Sequence, residues 1–476
     1  MKRLPFTRAA GFDSAFATAF ALVIAMGLTL GMPAPAALAQ GASGTPMTPT
    51  VLPGMQTPLA PLGGCIQPGG LAGPGLDQAG SIDRMMRVSA EQHPSVLGRL
   101  ADRASADASL ESAGWGYWPS PILSHERVNA GSRDPSYPGD DAITVVGIRA
   151  SIWTGGRLDA NRDRARAQVD ASGQALLDQR EQIAIRTALA WGDWWRYDRQ
   201  IAATDKSIAA HEALQAQVDR RIEGGAAPEV DRKLTLSRLR QLINDRARLV
   251  SLRQSALRAL QQLADASITA ADLGRAAVSS LCLAAPEELT RQMVERNPRL
   301  ARLRANLKVL AAEVDVRRAS RYPEIYARLE RQYGNYAIAN AAASNRAFIG
   351  ASWQPGAGLS IESDIRSLIA RQEASDRDLA SSRLDLLEEF NGDWLSFNAI
   401  RERLDAILDA LADTRAISSS YERQYQAGRK SWLDVMNLVR EQLQLELQQA
   451  DLEANLIVLS RKLQVRASGL RDWGGE

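Results

Sequence analysis

The sequence predicts a mainly α-helical protein with a small β part, built from two copies of one structural repeat. Three observations predict this class. Several short stretches recur in the same order at an offset of roughly 200 residues, which indicates an internal duplication. Long stretches without proline and with little glycine indicate helices longer than a globular domain is wide. Before each long stretch, short segments with alternating apolar and polar residues indicate a β-hairpin.

The N-terminus predicts export. A basic segment over residues 1–8, an apolar run over 15–32 and the small-x-small motif Ala37-Leu38-Ala39 predict a signal peptide over residues 1–39. A transmembrane anchor is the alternative, but the apolar run ends in a Pro/Ala stretch without a basic stop. Removing residues 1–39 leaves equal numbers of basic and acidic residues, so no nucleic-acid partner is predicted. No second apolar run is long enough to span a bilayer as a helix.

Residues 40–80 are rich in Gly, Pro, Thr and Ala and read as a flexible leader. Cys65 and Cys282 are the only cysteines, and each precedes the first helix of its repeat. In an oxidising compartment they are a candidate disulfide. Leu62 to Cys65 also bears a faint likeness to a lipidation site. The chain shows no metal-ligand cluster and no catalytic or nucleotide motif, so it predicts no cofactor and no enzyme.

The repeats are predicted to cover residues 81–281 and 282–470. Each begins with a helical segment, from about 82 or 286, that stops at an aromatic-Pro pair at 118–119 or 322–323. The spacing from His93-Pro94 to the first pair equals that from Asn297-Pro298 to the second. Two extended segments then predict hairpins over 119–153 and 323–353. In "AITVVGIRASIW" an apolar face alternates with a polar one, as in a barrel wall.

Each hairpin is followed by a long helix, over 157–223 in the first repeat and 359–426 in the second. At 1.5 Å per residue each would measure roughly 100 Å. Shorter helices follow over 229–265 and 432–468. Apolar residues spaced by seven predict coiled-coil seams there, with ordinary amphipathic core helices as the alternative. The residues that form these rows are Leu236, Ile243, Val250 and Leu257 in the first repeat, and Leu438, Leu445, Leu452 and Leu459 in the second. We expect antiparallel coiled-coil columns.

Four strands cannot close a membrane barrel, because two edges would face lipid with unpaired backbone groups. Three copies would supply about twelve strands and leave a central space, and a closed ring is the usual solution. Aromatic residues recur where strands should meet helices, and such residues favour the membrane–water boundary. Packing in a core is the alternative for any one of them. The predicted interface aromatics are Trp115, Trp118, Trp153, Tyr322 and Trp353.

The stretches "SIWTGGRLDANRDRARAQVDAS" and "YQAGRKSWLDVMN", with the paired "HP" and "NP" starts, resemble the TolC family of outer-membrane channel proteins over roughly residues 80–470. The resemblance implies a homotrimer with a 12-stranded barrel in outer-membrane lipid and a long helical tunnel across the periplasm of a Gram-negative bacterium. It also implies a periplasmic adaptor (membrane fusion) protein and an inner-membrane ABC or other pump as partners. "GRKSWLD" is most similar to members that serve type I protein secretion. Multidrug or metal efflux is the alternative, and a non-channel periplasmic scaffold is a third reading.

The resemblance also implies a gate at the periplasmic end. The linking positions fall on Asp231, Tyr425 and Lys430, where Lys stands in place of the more familiar Arg and loses its bidentate fork. An acidic ring position falls on Asp434. A second acidic ring that some members have falls on the neutral Asn437 here, so cation block at the entrance should be weaker. The alternative for Lys430 and Asp434 is a solvated turn with an ordinary i,i+4 pair.

The hairpin tips are expected to dock the adaptor. Three glycines there, Gly224, Gly225 and Gly428, are predicted to adopt positive φ. The complete set of expected tip residues is Gly224, Gly225, Ala226, Gly428, Arg429 and Ser431.

Overall fold

The structure is a computed structural model. It describes residues 65–66, 82–129, 136–264, 267–274, 281–282, 285–354, 356–357 and 360–469. The predicted signal peptide over 1–39, most of the leader over 40–80, and residue 359 at the predicted start of the second long helix lie outside the described residues.

The two repeats share one order of elements. The first contains β1 (Cys65–Ile66), α1 (Ile82–Gln92), α2 (Pro94–Trp115), β2 (Ser120–Arg127), β3 (Ala142–Trp153), α3 (Arg157–Glu223), α4 (Glu229–Leu263) and α5 (Ala270–Gly274). The second contains β4 (Leu281–Cys282), α6 (Pro286–Arg296), α7 (Pro298–Ala319), β5 (Glu324–Tyr333), β6 (Ser344–Ser352), α8 (Ile361–Gln426) and α9 (Trp432–Ser468). With 67 and 66 residues, α3 and α8 are each about 100 Å long.

The helix before each hairpin is divided in two, which corrects the single helix predicted for each repeat. α1 ends before His93, and α2 begins at Pro94. α6 ends before Asn297, and α7 begins at Pro298. Proline disfavours the helical conformation of the residue before it, and that residue instead caps the next helix. His93 Nδ1 accepts a hydrogen bond from the Ser95 N–H, and Asn297 accepts one from the Arg299 N–H.

The four long strands form one antiparallel sheet in the order β2-β3-β5-β6. The hairpins pair internally, and β3 pairs with β5 across the repeats, with a register shift between Ser151 and Trp153. In this described sheet β2 and β6 each have one neighbour, so two edges are unpaired. The four strands per chain agree with the predicted fold class.

The helices pack around α3, which contacts α1, α2, α4, α7 and α9, while α8 packs against α7 and α9. The main core lies at mid-height of the long helices. There Trp191 and Trp195 stack with ring centroids 5.2 Å apart, and Trp191 and Trp194 are fully buried. Burying such large apolar side chains stabilises the packing of the long helices. Among the described helices, none combines the length and apolar character needed to cross a membrane.

Candidate functional site

The two helical tips are copies of one turn. At the first, Gly225 N–H donates to Ile222 O at 2.9 Å and Ala226 N–H donates to Arg221 O at 2.7 Å. At the second, Gly428 N–H donates to Tyr425 O at 2.9 Å and Arg429 N–H to Gln424 O at 2.8 Å. This pair of bonds is the Schellman motif, which ends a helix and satisfies its last carbonyl groups.

The glycine predictions at these tips are partly wrong. Gly225 and Gly428 have φ of 71° and 75°, as expected of the left-handed residue in this motif. Gly224 instead has a φ of −82°, because it occupies the preceding C-cap position, where any residue fits. Its counterpart in the second repeat is Ala427, which has nearly the same backbone conformation.

Tyr425 lies inside the chain rather than on its surface. It is 4% exposed, and its ring packs against that of Trp432 at 5.2 Å between centroids. Arg221, at the end of α3, donates to Tyr425 O at 2.8 Å and lies 4.5 Å from the ring centroid. Sequence reasoning assigned no role to Arg221, three residues before Gly224, or to Trp432, which lies within the quoted "YQAGRKSWLDVMN". The contacts fix the two tips of one chain together.

The aspartates at the start of the returning helices differ in their surroundings. Ser431 and Asp434 form a capping box, with Ser431 Oγ 2.8 Å from Asp434 Oδ2. Hydrogen bonds from the Ser431 hydroxyl and backbone N–H lower the pKa of Asp434. In the first repeat Pro228 takes the cap position and offers no side-chain bond. Desolvation there raises the pKa of Asp231.

Lys430 and Asn437 have different neighbours. The Lys430 ammonium lies 4.4 Å from the Tyr421 ring centroid, in a cation–π contact on its own repeat. Asn437 lines a groove between α4 and α9 together with Leu234, Arg238 and Met436. Within the described chain, no hydrogen bond joins Asp231 to Tyr425 or Lys430, so a link between these positions requires a neighbouring copy.

The four-stranded sheet reverses the burial pattern of a soluble protein. Leu123 and Ile349, on one face, are 78% and 82% exposed. Glu330 and Gln332, on the other face, are 7% and 9% exposed. A sheet that leaves its apolar face open and crowds its charged face is typical of a membrane barrel, where lipid covers the outside.

The charged face carries an ion-pair network that sequence reasoning missed. Glu330 lies 3.2 Å from Arg328 and 4.0 Å from Arg346. Glu324 lies 3.5 Å from Arg149 and 2.7 Å from Arg157, the first residue of α3. The signal was present in "EIYARLERQY", where Glu, Tyr, Arg, Glu and Gln alternate with mainly apolar residues.

The predicted interface aromatics lie at the junctions between strands and helices, and all are exposed. Trp115 and Trp118 pair at 6.2 Å at the end of α2, and Trp153 pairs with Tyr322 at 6.0 Å. Trp353 follows β6, and its Nε1 donates to Arg321 O at 3.0 Å. Their recurrence at this level is the pattern of an aromatic girdle.

A second polar network lies at mid-height of the tunnel helices. Glu181 of α3 is buried, and Asn297 Nδ2 donates to its Oε1 at 3.3 Å. Arg302 Nε donates to the neighbouring Asp178 at 2.8 Å. Desolvation, with repulsion from Asp178, raises the pKa of Glu181 to about 7. The group therefore changes charge near neutral pH.

The two cysteines are brought opposite each other by the backbone. β1 and β4 pair antiparallel, with Cys65 and Cys282 as direct partners. Directly opposed residues of an antiparallel pair have Cα atoms about 4.5–5.5 Å apart, a span that a disulfide bridges.

Residues 289–465 match the family model described as outer membrane efflux protein. A membrane protein from Pseudomonas aeruginosa superposes with a TM-score of 0.69 at 18% identity, covering 88% of this chain and 96% of that one. The outer membrane protein VceC of Vibrio cholerae gives 0.69 at 14% identity, with 82% and 96% covered. The CmeC outer membrane channel of Campylobacter jejuni gives 0.68 at 12% identity, with 82% and 85% covered. Among curated protein sequences, none matches the chain.

The chain shares the fold of these outer membrane proteins, and the predicted fold class, mainly α-helical with a small antiparallel sheet, is confirmed. The outer membrane efflux protein family model thus matches the greater part of the second repeat.

Proposed function

We propose that three copies of this chain form a closed channel that carries cargo out of the cell, fed by an inner-membrane pump through a periplasmic adaptor. The observation that carries the proposal is the four-stranded sheet with two unpaired edges and an exposed apolar face. Such a sheet is stable in lipid only when its edges pair with other copies. Three copies give about twelve strands, and the helices beneath them continue the wall as a tunnel.

Cell fractionation and bilayer recording test the channel. The protein should sediment with outer membranes and run on gels as a heat-modifiable oligomer. Purified protein should insert into planar bilayers and conduct ions, and the mature chain should begin at Gln40 once residues 1–39 are removed. Soluble, monomeric behaviour would contradict the proposal and favour a periplasmic scaffold.

The cargo proposed is a large secreted protein, delivered by an ABC pump in type I secretion. The support is the similarity of "GRKSWLD" at the second tip to members that serve this process. Multidrug or metal efflux uses the same tunnel and is the second candidate. Deletion of the gene distinguishes them: loss of a large protein from the medium supports secretion, whereas drug or metal sensitivity alone supports efflux. Co-purification of the pump and adaptor identifies the system.

The tips are proposed to close the tunnel and dock the adaptor. Asp231 lacks the capping partner that holds Asp434, so its carboxylate is the better placed of the two to reach Lys430 of a neighbouring copy. Three copies of Asp434 would face one another near the axis and attract cations, whereas the neutral Asn437 at the second ring position would leave cation block weaker. The exposed turn around Gly225 and Gly428 presents the docking surface.

Single-channel conductance tests the proposed gate. Asp231→Ala combined with Lys430→Ala should raise single-channel conductance, because the link between neighbouring copies is lost. Lys233→Ala is the matched control, since this exposed lysine lies two residues from Asp231 on the same helix. A double variant that conducts like the parent would count against this gate.

A further inference from the structure

Arginines are concentrated on the charged face of the sheet in two adjacent rows. In one row Arg149 of β3 lies directly opposite Arg328 of β5, which lies opposite Phe348 of β6. In the next row Glu330 lies opposite Arg346. Like charges that face each other across strands are destabilising unless other charges or solutes compensate.

The carboxylates in this region compensate only part of the charge. Glu330 contacts Arg328 and Arg346, and Glu324 contacts Arg149 and Arg157. Four guanidinium groups therefore share two carboxylates, which leaves an excess of two positive charges per chain. The remaining acidic residue on this face, Glu126, lies at the far end of β2, opposite Ile143.

The guanidinium groups are held in place by aromatic rings. Arg149 lies 3.8 Å from the centroid of Tyr326, and Arg328 lies 4.6 Å from that of Phe348. Stacking restricts these long side chains, so less entropy is lost when they bind. Arg149, Arg328 and Arg346 approach a carboxylate to 3.5, 3.2 and 4.0 Å, so these ion pairs are loose, and a guanidinium has five N–H donors to offer a further ligand.

We propose that Arg149, Arg328 and Arg346 form an anion-binding collar on the inner wall of the barrel, with carboxylate- or phosphate-bearing solutes as ligands. The inference rests on the proposed channel, in which the exposed apolar face contacts lipid and the charged face lines the passage. Without Arg157, which belongs to α3, the three collar arginines exceed Glu324 and Glu330 by one positive charge per chain, so three copies give an excess of three positive charges in one ring, which concentrates anions from solution. The collar lies at the opposite end of the channel from Asp434.

Block of the channel by tripolyphosphate tests the collar. Arg328→Gln combined with Arg346→Gln should raise the half-blocking concentration about tenfold, because charge-assisted hydrogen bonds to the anion are lost. Under a KCl gradient the reversal potential should shift towards cation preference. Higher ionic strength should weaken the block of the parent channel.

Arg331→Gln is the matched control, because Arg331 is on the same strand but opposite Val146, on the apolar face. The Arg331→Gln channel should have the same half-blocking concentration of tripolyphosphate as the parent channel. If the double variant does not assemble, the single variant Arg346→Gln replaces it in the block assay. Arg346 makes the longest of these ion pairs, so its loss should disturb the sheet least. Equal block in the parent and in every variant that lacks luminal arginines would overturn the collar and leave the channel intact. Failure of the parent protein to conduct would instead overturn the proposed function.

Discussion

Gly192 provides a direct test of how tightly the long helix α3 packs against α9. A Cβ atom added at Gly192 would lie 2.3 Å from Val458 Cγ2. Its counterpart in the duplicated "WGDWW" and "NGDWL" stretches is Gly392, where an added Cβ would meet no described heavy atom within 4 Å. The same substitution therefore enters a tight contact in one repeat and open space in the other.

The expected effects of alanine at the two sites differ in sign. Replacing a glycine within a helix by alanine stabilises it by about 0.5–1 kcal/mol. At Gly192 this gain is opposed by overpacking, which costs about 1–3 kcal/mol. Val458 is β-branched and has one strongly preferred rotamer in a helix, so it does not turn away freely. Gly192→Ala should destabilise by about 0.5–2 kcal/mol, and Gly392→Ala should stabilise by up to about 1 kcal/mol.

Thermal unfolding in detergent, followed by far-UV circular dichroism at a fixed scan rate, measures both variants. Val458→Ala provides the third arm, because it removes the atom that would clash. In that background Gly192→Ala should be neutral or stabilising, which gives a favourable coupling in a double-mutant cycle. If Gly192→Ala and Gly392→Ala shift the melting temperature equally, or if Val458→Ala brings no relief, the reasoning from this contact is wrong.

Three further predictions concern titration, the gate and the cysteines. The pKa of Glu181 is about 7 in the folded chain, above its ordinary value of 4.5, so its stabilisation is fully present below about pH 4.5 and is lost as the pH rises through 7. In denaturant unfolding, the free energy of unfolding of the parent should fall by up to about 3 kcal/mol across this pH window, and that of Glu181→Gln should not. Parallel pH profiles for the parent and the variant would contradict the assignment. The buried Tyr425 hydroxyl has no hydrogen-bond partner within the described chain, so Tyr425→Phe removes an unsatisfied polar group and should raise the melting temperature. Because the hydroxyl is enclosed within one chain, the same variant should leave conductance unchanged, and a raised conductance would instead place the hydroxyl in the gate. Non-reducing mass mapping should recover one cross-linked peptide that contains Cys65 and Cys282, whereas two separate peptides would exclude the disulfide.

Features set by local chemistry could be predicted from the sequence. The glycine at each tip signals the end of a long helix, and proline or serine at the same offset starts the next. The hairpins follow from alternation and from the loops between the strands. Because the chain is duplicated, each of these patterns occurs once in each repeat, and the two copies support the same prediction.

Features that depend on partners distant in sequence could not be predicted. Ile243 belongs to the row of sevens in α4, yet it is 51% exposed in the single chain. Its predicted seam requires a surface that one copy does not contain. Glu181 sits mid-helix among ordinary polar residues, and its raised pKa arises first from desolvation by burial in the folded chain and second from repulsion by Asp178. The helix breaks at Pro94 and Pro298 could in principle be predicted from the prolines. The apolar periodicity of the sequence continues through both and does not indicate a break.

Divergence between the two tips separates structural from functional constraint. Both copies keep the left-handed glycine and an aspartate three residues after the cap, Asp231 and Asp434. Only the second copy keeps a serine at the cap, so only Asp434 is held by a capping box. With proline at the cap, Asp231 gains nothing from capping, and desolvation penalises its charge. An aspartate in that setting costs stability in the single chain, and a basic partner on a neighbouring copy would remove the cost. The pair thus favours Asp231, rather than Asp434, as the residue whose charge is used between chains.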